Sequence, residues 1–277
     1  MTLQEAQDLG AKAIGRHEAR LLMSHVTGLS LHNLLIESTK PLNEPAKGAF
    51  FAGIERRKAN EPLQYIMGKW EFMGLEMITD PRALIPRPET ELLVEEVLRL
   101  INERGGQVKV LDVCTGSGCI AVAVAKFAGV DVTAVDISPA ALALAAENAS
   151  MHSVNIQLVQ SDLFDGIKGQ PFDVIISNPP YIPTAELGQL QAELTHEPKL
   201  ALDGGADGLD IYRRLVPASL EYLVPGGALF LEIGPRAVET IMLEAGYDTI
   251  RLLQDYAGLD RILKGIKRSK NNVRPFR

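Results

Sequence analysis

From residue 108 onward, short apolar runs alternate with stretches of helical spacing: 108–113, 130–136, 156–159, 172–177 and 228–233 each read as a strand, with a helix between successive ones. This alternation constrains the fold more than any other feature of the chain. Strands that are apolar along their whole length must be covered on both faces, and parallel neighbours need a crossover long enough to hold a helix. The C-terminal two thirds is therefore expected to be α/β, with a mostly parallel sheet between helical layers. The final pair, 249–253 and 261–265, is joined by a short turn, so the last strand is expected to run antiparallel.

The first 60 residues follow a different rhythm. Leu9 with Ala13, Leu22 with Val26, Leu31 with Leu34 and Leu35, and Phe50 with Ile54 recur at helical spacing, punctuated by Gly28 and by the stretch 41–45. Several short helices forming a small separate domain are expected. Residues 70–78 read as a hairpin turning at Gly74, and the proline-rich 81–88 leads into a helix from about Glu89 to just before Gly105. These features predict a helical domain with a hairpin linker over 1–80 and a catalytic domain over 81–277.

Composition excludes several classes. With 46% hydrophobic and 23% charged residues the chain is of ordinary globular type, and no apolar stretch reaches the ~20 residues of a membrane helix. No membrane partner is expected. Met1 to Glu5 carry no basic region followed by an apolar core, so no secretory signal is read and a cytoplasmic location is expected. Cys114 and Cys119, the two cysteines, have neither metal-knuckle nor redox spacing and are read as reduced packing residues; no metal site is expected. Of 28 basic residues, seven lie in 261–277, which hold no acid, so the remainder is strongly acidic against 35 Asp and Glu. A duplex-gripping protein shows a broad basic face, and this body lacks the residues for one. The basic tail reads as a solvated terminus or as a contact for RNA or an acidic partner.

Two short segments carry chemistry. Asn178-Pro179-Pro180-Tyr181 follows the fourth strand. An amide or aromatic-amine nitrogen has a delocalised lone pair and attacks an electrophilic carbon poorly, so it must be held and polarised. The side-chain carbonyl of Asn178 and the main-chain carbonyl of Pro179 can each accept one hydrogen bond from an NH2 group, while the prolines stiffen both. Tyr181 would form a flat wall. Alone, the segment also reads as a turn ending a buried strand.

Leu111-Asp112-Val113-Cys114-Thr115-Gly116-Ser117-Gly118 is a strand ending in a glycine turn at the start of a helix, which lets backbone approach a ligand. Asp136, at the end of the next strand, is placed to accept bonds from ribose hydroxyls. NAD and S-adenosylmethionine both carry that ribose, and the glycine pattern satisfies the dinucleotide fingerprint, so a nicotinamide enzyme is a rival on this motif alone. Asp112, suited to the amino acid part of S-adenosylmethionine, and the Asn178 segment, for which hydride transfer has no use, favour the methyl donor. Asp162 is expected to meet the adenine amino group, with Leu163 and Phe164 as apolar surface; Asp112 and Asp162 have turn and helix-cap roles as their alternatives.

In these residues the chain resembles the PrmC or HemK family of glutamine methyltransferases that modify peptide chain release factors. The likeness runs over nearly the whole length. It includes Leu84-Ile85-Pro86-Arg87-Pro88-Glu89-Thr90-Glu91 and the segment from Glu197-Pro198-Lys199 to Asp207-Gly208-Leu209, with Tyr212 and Arg213. The resemblance implies a helical N-terminal domain that recognises the substrate and a Rossmann-like class I methyltransferase domain with a seven-stranded sheet. It implies S-adenosyl-L-methionine as cofactor and, as the reaction, methyl transfer to the glutamine of the Gly-Gly-Gln motif in release factors, a protein substrate of translation termination and not a nucleic acid. Cofactor contacts then fall on Cys114, Thr115, Gly116, Ser117, Gly118, Asp136, Leu163 and Asn178, and substrate contacts on Asn178, Pro179, Pro180 and Tyr181, with Asn178 and Pro179 catalytic. Glycine is frequent where Cys114 stands, so backbone angles open to a side chain are expected there. The alternatives are glutamine methylation of a ribosomal protein and, further off, adenine-amino methylation of nucleic acid. Because no titrating base is required, the rate is expected to be nearly flat between mild acid and mild alkali. The chain's own Arg104-Gly105-Gly106-Gln107 reads as a helix-to-strand loop, with self-methylation as the other possibility.

Overall fold

A computed structural model describes residues 1–169, 171–234, 236–255 and 257–269. Its contacts divide the chain into two compact units: Met1–Lys69 with Gln191–His196, and Trp70–Leu190 with Glu197–Arg277.

The first unit holds α1 (Leu3–Ile14), α2 (Arg16–Thr27), α3 (Leu31–Ile36), α4 (Glu44–Lys58) and α5 (Leu63–Met67). Local sequence sets the helix starts. Thr2 and Glu5 form a reciprocal capping box, and Ser30 and Asn43 accept from Asn33 N and Ala46 N at the heads of α3 and α4. The core gathers Leu3, Ala6, Ala19, Leu22, Met23, Leu34, Phe50, Ile54 and Leu63. Gly10 is small for a packing reason: a Cβ there would come within 2.7 Å of the Phe50 ring. The helical spacing located these helices but does not mark their buried faces, since Leu9, Leu31 and Leu35 are exposed. Arg57 pairs with Glu18 at 2.7 Å and with Glu193, which ties Gln191–His196 into this unit.

The second unit opens with the hairpin β1 (Lys69–Phe72) and β2 (Leu75–Ile78). Met73 and Gly74 both have positive φ, 54° and 73°, as primed hairpin turns require. Contacts divide the units at Lys69/Trp70, earlier than residue 80, because Phe72 and Met77 are buried in the same core as Leu93 and Val97. Then follow α6 (Pro88–Arg104), β3 (Lys109–Val113), α7 (Cys119–Ala128), β4 (Asp131–Asp136), α8 (Pro139–Met151), β5 (Ile156–Gln160) and β6 (Phe172–Ser177). Three 3-10 turns lie over Thr184–Gln189, Ala192–His196 and Lys199–Ala201. The chain ends in α9 (Asp210–Tyr222), β7 (Leu223–Glu232), α10 (Val238–Ala245), β8 (Thr249–Gln254) and β9 (Asp260–Ile266).

The seven-stranded sheet has the order β5-β4-β3-β6-β7-β9-β8. β3 to β7 pair in parallel, and β9 runs antiparallel to both β7 and β8, as the short final turn predicted. One apolar layer packs between this sheet and the α6 and α7 side, another against α9 and α10. β7 begins at Leu223, five residues before the strand read from sequence, because Phe172 pairs with Leu223 before the register jumps to Val174 with Ala228.

The basic tail is partly structural. Lys264 lies over the Phe230 ring and the Lys267 ammonium donates to the carbonyls of Leu220 and Leu223. Lys270, Arg274 and Arg277 fall outside the described residues.

Candidate active site

Strand order reverses at the centre of the sheet, where β3 continues outward to β4 on one side and β6 continues to β7 on the other. Loops leaving the carboxyl ends of β3 and β6 part in opposite directions there and leave a crevice, the usual ligand site of open α/β sheets. A cavity of about 270 Å³ occupies this position. Its wall includes Cys114, Thr115, Gly116 and Ser117 after β3, Asp136, Ile137 and Ser138 after β4, Asp162 and Leu163 after β5, and Asn178 and Pro180 after β6. Residues 82–87, Thr90, Leu200, Ile211 and Arg214 are also part of it.

The turn after β3 is held from below. Thr115 N donates to Val135 O at 3.0 Å and Gly118 N to Thr115 O at 2.9 Å, and Gly116 and Gly118 have φ of 55° and 78°. A Cβ on Gly116 would meet nothing closer than Ala83 at 3.9 Å, so a side chain there would fill space along the cavity wall that the glycine leaves open. Gly118 serves packing and is off the wall: a Cβ there would lie 2.8 Å from Ala145, so its bareness lets α7 approach α8. Cys114 has φ 62°, in the left-handed region, which corrects the expectation of angles open to a side chain. Leu163 shares this conformation, with φ 50°. Two strained non-glycine residues thus border one cavity, a concentration typical of functional sites. Burial pushes both cysteine thiols up to about 12, which suits inert packing groups.

Asp112, expected to meet the cofactor, is off the cavity wall. It is 1% exposed on β3, beneath the turn, and accepts the Thr115 hydroxyl at 2.6 Å. Oδ1 is buried and unpartnered among the described residues. Burial raises the carboxyl to about 7, with the Thr115 bond opposing it. Asp136 lines the cavity at the end of β4: its two oxygens accept Gly116 N at 2.8 Å and Ser138 N at 2.9 Å, so one carboxylate joins the turn to the head of α8. Asp162 lines the cavity while paired to Arg214 at 2.9 Å. Phe164 does not line it, because its ring stacks on Tyr222 at 4.7 Å in the core.

Asn178 lines the cavity with its amide oriented by a partner that sequence reasoning left without a role. Its Nδ2 donates to Thr90 Oγ1 at 3.2 Å, and Thr90 Oγ1 donates to Glu232 at 2.6 Å. Thr90 and Glu232 are 3% and 2% exposed. Burial raises Glu232 to about 7, against the Thr90 bond that lowers it. Pro179 is buried and off the wall, and Tyr181 is not the flat wall expected of it. Its ring packs on the backbone of Gly234, where a Cβ would sit 2.5 Å away.

The segment after Tyr181 is pinned by the glycine-rich stretch 203–208. Ile182 N bonds Leu202 O, Gly204 N bonds Ile182 O, and Thr184 N bonds Gly205 O, at 2.8 to 3.0 Å. A Cβ on Gly208, with φ 76°, would strike Tyr181 O at 2.3 Å. Glu197, buried at 6% exposure, accepts Ile85 N at 3.0 Å and pairs with Arg87. The two segments that carried the resemblance are thus joined by one carboxylate. Arg104-Gly105-Gly106-Gln107 precedes the amino end of β3, at the edge of the sheet opposite the molecule's own cavity.

The Asp112 environment fixes the sign of a pH effect on stability. A carboxyl raised to about 7 from 3.8 binds its proton more tightly when folded, so its contribution is full below about pH 4 and lost as pH rises through 7. Denaturant titration of the ligand-free protein should show stability falling from pH 5 to pH 8 by about 2 to 3 kcal/mol more in the wild type than in Asp112→Asn. Equal falls would place the raised group elsewhere.

Residues 88–205 match the methyltransferase small domain family, and residues 3–68 match the PrmC N-terminal domain family. A release factor glutamine methyltransferase of Geobacter sulfurreducens is 45% identical over 90% of this chain and 89% of its own length. Its counterpart in Deinococcus radiodurans is 41% identical over 89% of each chain. Among solved structures, a methyltransferase from Pyrococcus furiosus superposes with a TM-score of 0.54 at 21% identity, over 79% of this chain and 98% of that one, which shows the shared fold. Identity at this level over almost the full length of both chains, with both family domains in order, means that the chain belongs to the release factor glutamine methyltransferase family.

Proposed function

We infer that this chain transfers a methyl group from S-adenosyl-L-methionine to the side-chain nitrogen of the glutamine in the Gly-Gly-Gln motif of peptide chain release factors. The cavity suits that cofactor in its donor set. A turn whose Gly116 leaves space for a ligand, an acid at Asp136 for ribose hydroxyls, and the apolar Ile137 and Leu163 for a base all line the one cavity. Cys114, Thr115, Gly116, Ser117, Asp136, Asp162, Leu163 and Asn178 would hold the cofactor, with Asp112 and Gly118 shaping the turn from behind. When bound, S-adenosylmethionine supplies a methyl carbon activated by a sulfonium centre.

The observation that carries the reading is the Asn178 amide. Its NH2 end is engaged by Thr90, which leaves Oδ1 as the end available to an incoming group. An acceptor there takes one N–H of a substrate carboxamide; the other falls to the main-chain carbonyl of Pro179, whose ring is buried off the wall while its neighbours Asn178 and Pro180 line the cavity, so the target nitrogen is held with its face toward the methyl donor. Acceleration then comes from orientation and from neutral acceptors that draw electron density toward the nitrogen. Pro180 and Tyr181 set the backbone path along which the glutamine enters. A release factor substrate puts the work in the cytoplasm, and the acidic body of the chain disfavours nucleic acid as the methyl acceptor. No helix among the described residues is long and apolar enough to cross a membrane.

Asn178→Ala, measured at saturating cofactor, should lower single-turnover methyl transfer to a release factor by on the order of a hundredfold, a far larger loss than the loss of one among eight cofactor contacts. A variant with near wild-type turnover would remove Asn178 from the site.

The helical unit offers its own surface for the protein substrate. On α3, Leu35 and Ile36 are 59% and 67% exposed, unusual for large apolar residues side by side. A single glutamine loop buries far less than the ~800 Å² per partner of a specific complex, so the substrate must be held elsewhere as well. Replacing Leu35 and Ile36 by Ser should raise KM for the intact release factor several-fold and leave KM for a short Gly-Gly-Gln peptide unchanged. Equal effects on both would exclude docking at α3.

A further inference from the structure

Three buried or half-buried side chains from distant parts of the sequence form a directed line: Asn178 beyond β6, Thr90 in the first turn of α6, and Glu232 at the end of β7. Only Asn178 and Thr90 line the cavity. The line has a direction because of what each group can donate. A carboxylate accepts only, and a threonine hydroxyl has one proton. With that proton given to Glu232, Thr90 can only accept from Asn178, which must therefore present Nδ2 to Thr90 and Oδ1 to the cavity. The reversed amide would set an NH2 group against the NH2 of the substrate, and Thr90 would face a carbonyl with no proton to give it.

We propose that Thr90 and Glu232 are positioning residues for methyl transfer, acting through Asn178 by fixing which end of its amide meets the substrate. The inference rests on the role given to Asn178 above and extends it to Thr90, which lines the cavity beside that amide, and to Glu232, which does not line it. It gives a reason for a threonine three residues after Arg87, where α6 needs no such side chain as a cap: the N-cap is Arg87 and makes no side-chain capping bond. It also gives a reason for a carboxyl almost wholly buried at a strand end, a costly placement that Thr90 alone would not justify.

Protonation of Glu232 would reverse the logic, because a carboxylic acid can donate to Thr90 and free the threonine proton for Asn178. The charged and titratable groups around Glu232 are Arg87 and Glu89 at the start of α6, Arg261 on β9, Tyr181 after β6, Cys119 at the start of α7 and Tyr212 on α9, whose hydroxyl donates to the Glu232 main-chain carbonyl at 2.8 Å. The two arginines favour the carboxylate, while burial and Glu89 oppose it, leaving the group at about 7. The flat profile expected from the lack of a catalytic base is thereby amended to a plateau above neutrality with one acid limb.

The test is a double-mutant cycle in the full-length enzyme, read by single-turnover transfer of labelled methyl to a release factor, with cofactor affinity and thermal midpoint measured for each variant. Thr90→Val keeps the shape and loses the hydroxyl; it should cut the rate about tenfold, the size of one lost polar contact, with cofactor affinity within about twofold. Thr90→Ser should restore most of the rate. Combined with Asn178→Ala, Thr90→Val should cost nothing further, since Thr90 acts only through that amide. The wild-type rate should fall below about pH 7, and Glu232→Gln, which cannot titrate, should lack that limb. Multiplicative losses in the double variant, a Thr90→Val rate equal to wild type, a Thr90→Ser rate as low as that of Thr90→Val, a wild-type profile flat to pH 5.5, or an unchanged limb in Glu232→Gln would each overturn the proposal. If Asn178→Ala itself stays active, the fault lies in the site; if it is inactive while Thr90→Val is not impaired, only the relay fails.

Discussion

A carboxamide has a donor end and an acceptor end of nearly the same shape, and the chemistry of this cavity depends on which end of Asn178 is turned toward it. The orientation is set by the only group in the line that has no proton to offer, the Glu232 carboxylate. From there the constraint passes through Thr90 to Asn178, across three elements that meet only because β6 and β7 are neighbours and α6 begins beside their carboxyl ends. Sheet order and amide orientation are in this sense one constraint: the parallel pairing of β6 with β7 brings Asn178 and Glu232 to the same edge.

The remaining scaffolding holds that edge still. Glu197 joins the 84–91 and 197–209 segments through Arg87 and Ile85 N. The glycine-rich stretch around Gly204 and Gly208 lies so close to Tyr181 that side chains there would collide with backbone. On the cofactor side, Asp136 ties the turn after β3 to α8, and Asp112 ties Thr115 to β3 from beneath. Strain at Cys114 and Leu163 is tolerated where these ties over-determine the backbone.

Much of the fold was legible because parallel strands buried on both faces leave continuous apolar runs; 172–177 was read to the residue. The start of β7 was not, because Pro225-Gly226-Gly227 reads as a turn and is accommodated only by a register jump against β6. In the helical unit, spacing gave the helices but not their buried sides, since Leu31 and Leu35 repeat at core-like intervals yet face solvent. Local motifs pointed to Asn178, Asp136 and the glycine turn, which the fold gathers around one cavity. Asp112 lies off the cavity wall because a strand end adjoining a ligand turn can point under it, and Tyr181 because the space beside Gly234 takes its ring. Thr90 and Glu232 stand 142 residues apart, and no local pattern relates them.

The central claim is tested most directly by a crystal structure of the protein with S-adenosylhomocysteine and a Gly-Gly-Gln peptide. The account predicts the glutamine nitrogen within about 2.7 to 3.2 Å of both Asn178 Oδ1 and the Pro179 carbonyl, facing the cofactor sulfur, with Asn178 Nδ2 still on Thr90. A glutamine side chain bound away from Asn178, or an Asn178 amide contacting it through Nδ2, would contradict the account.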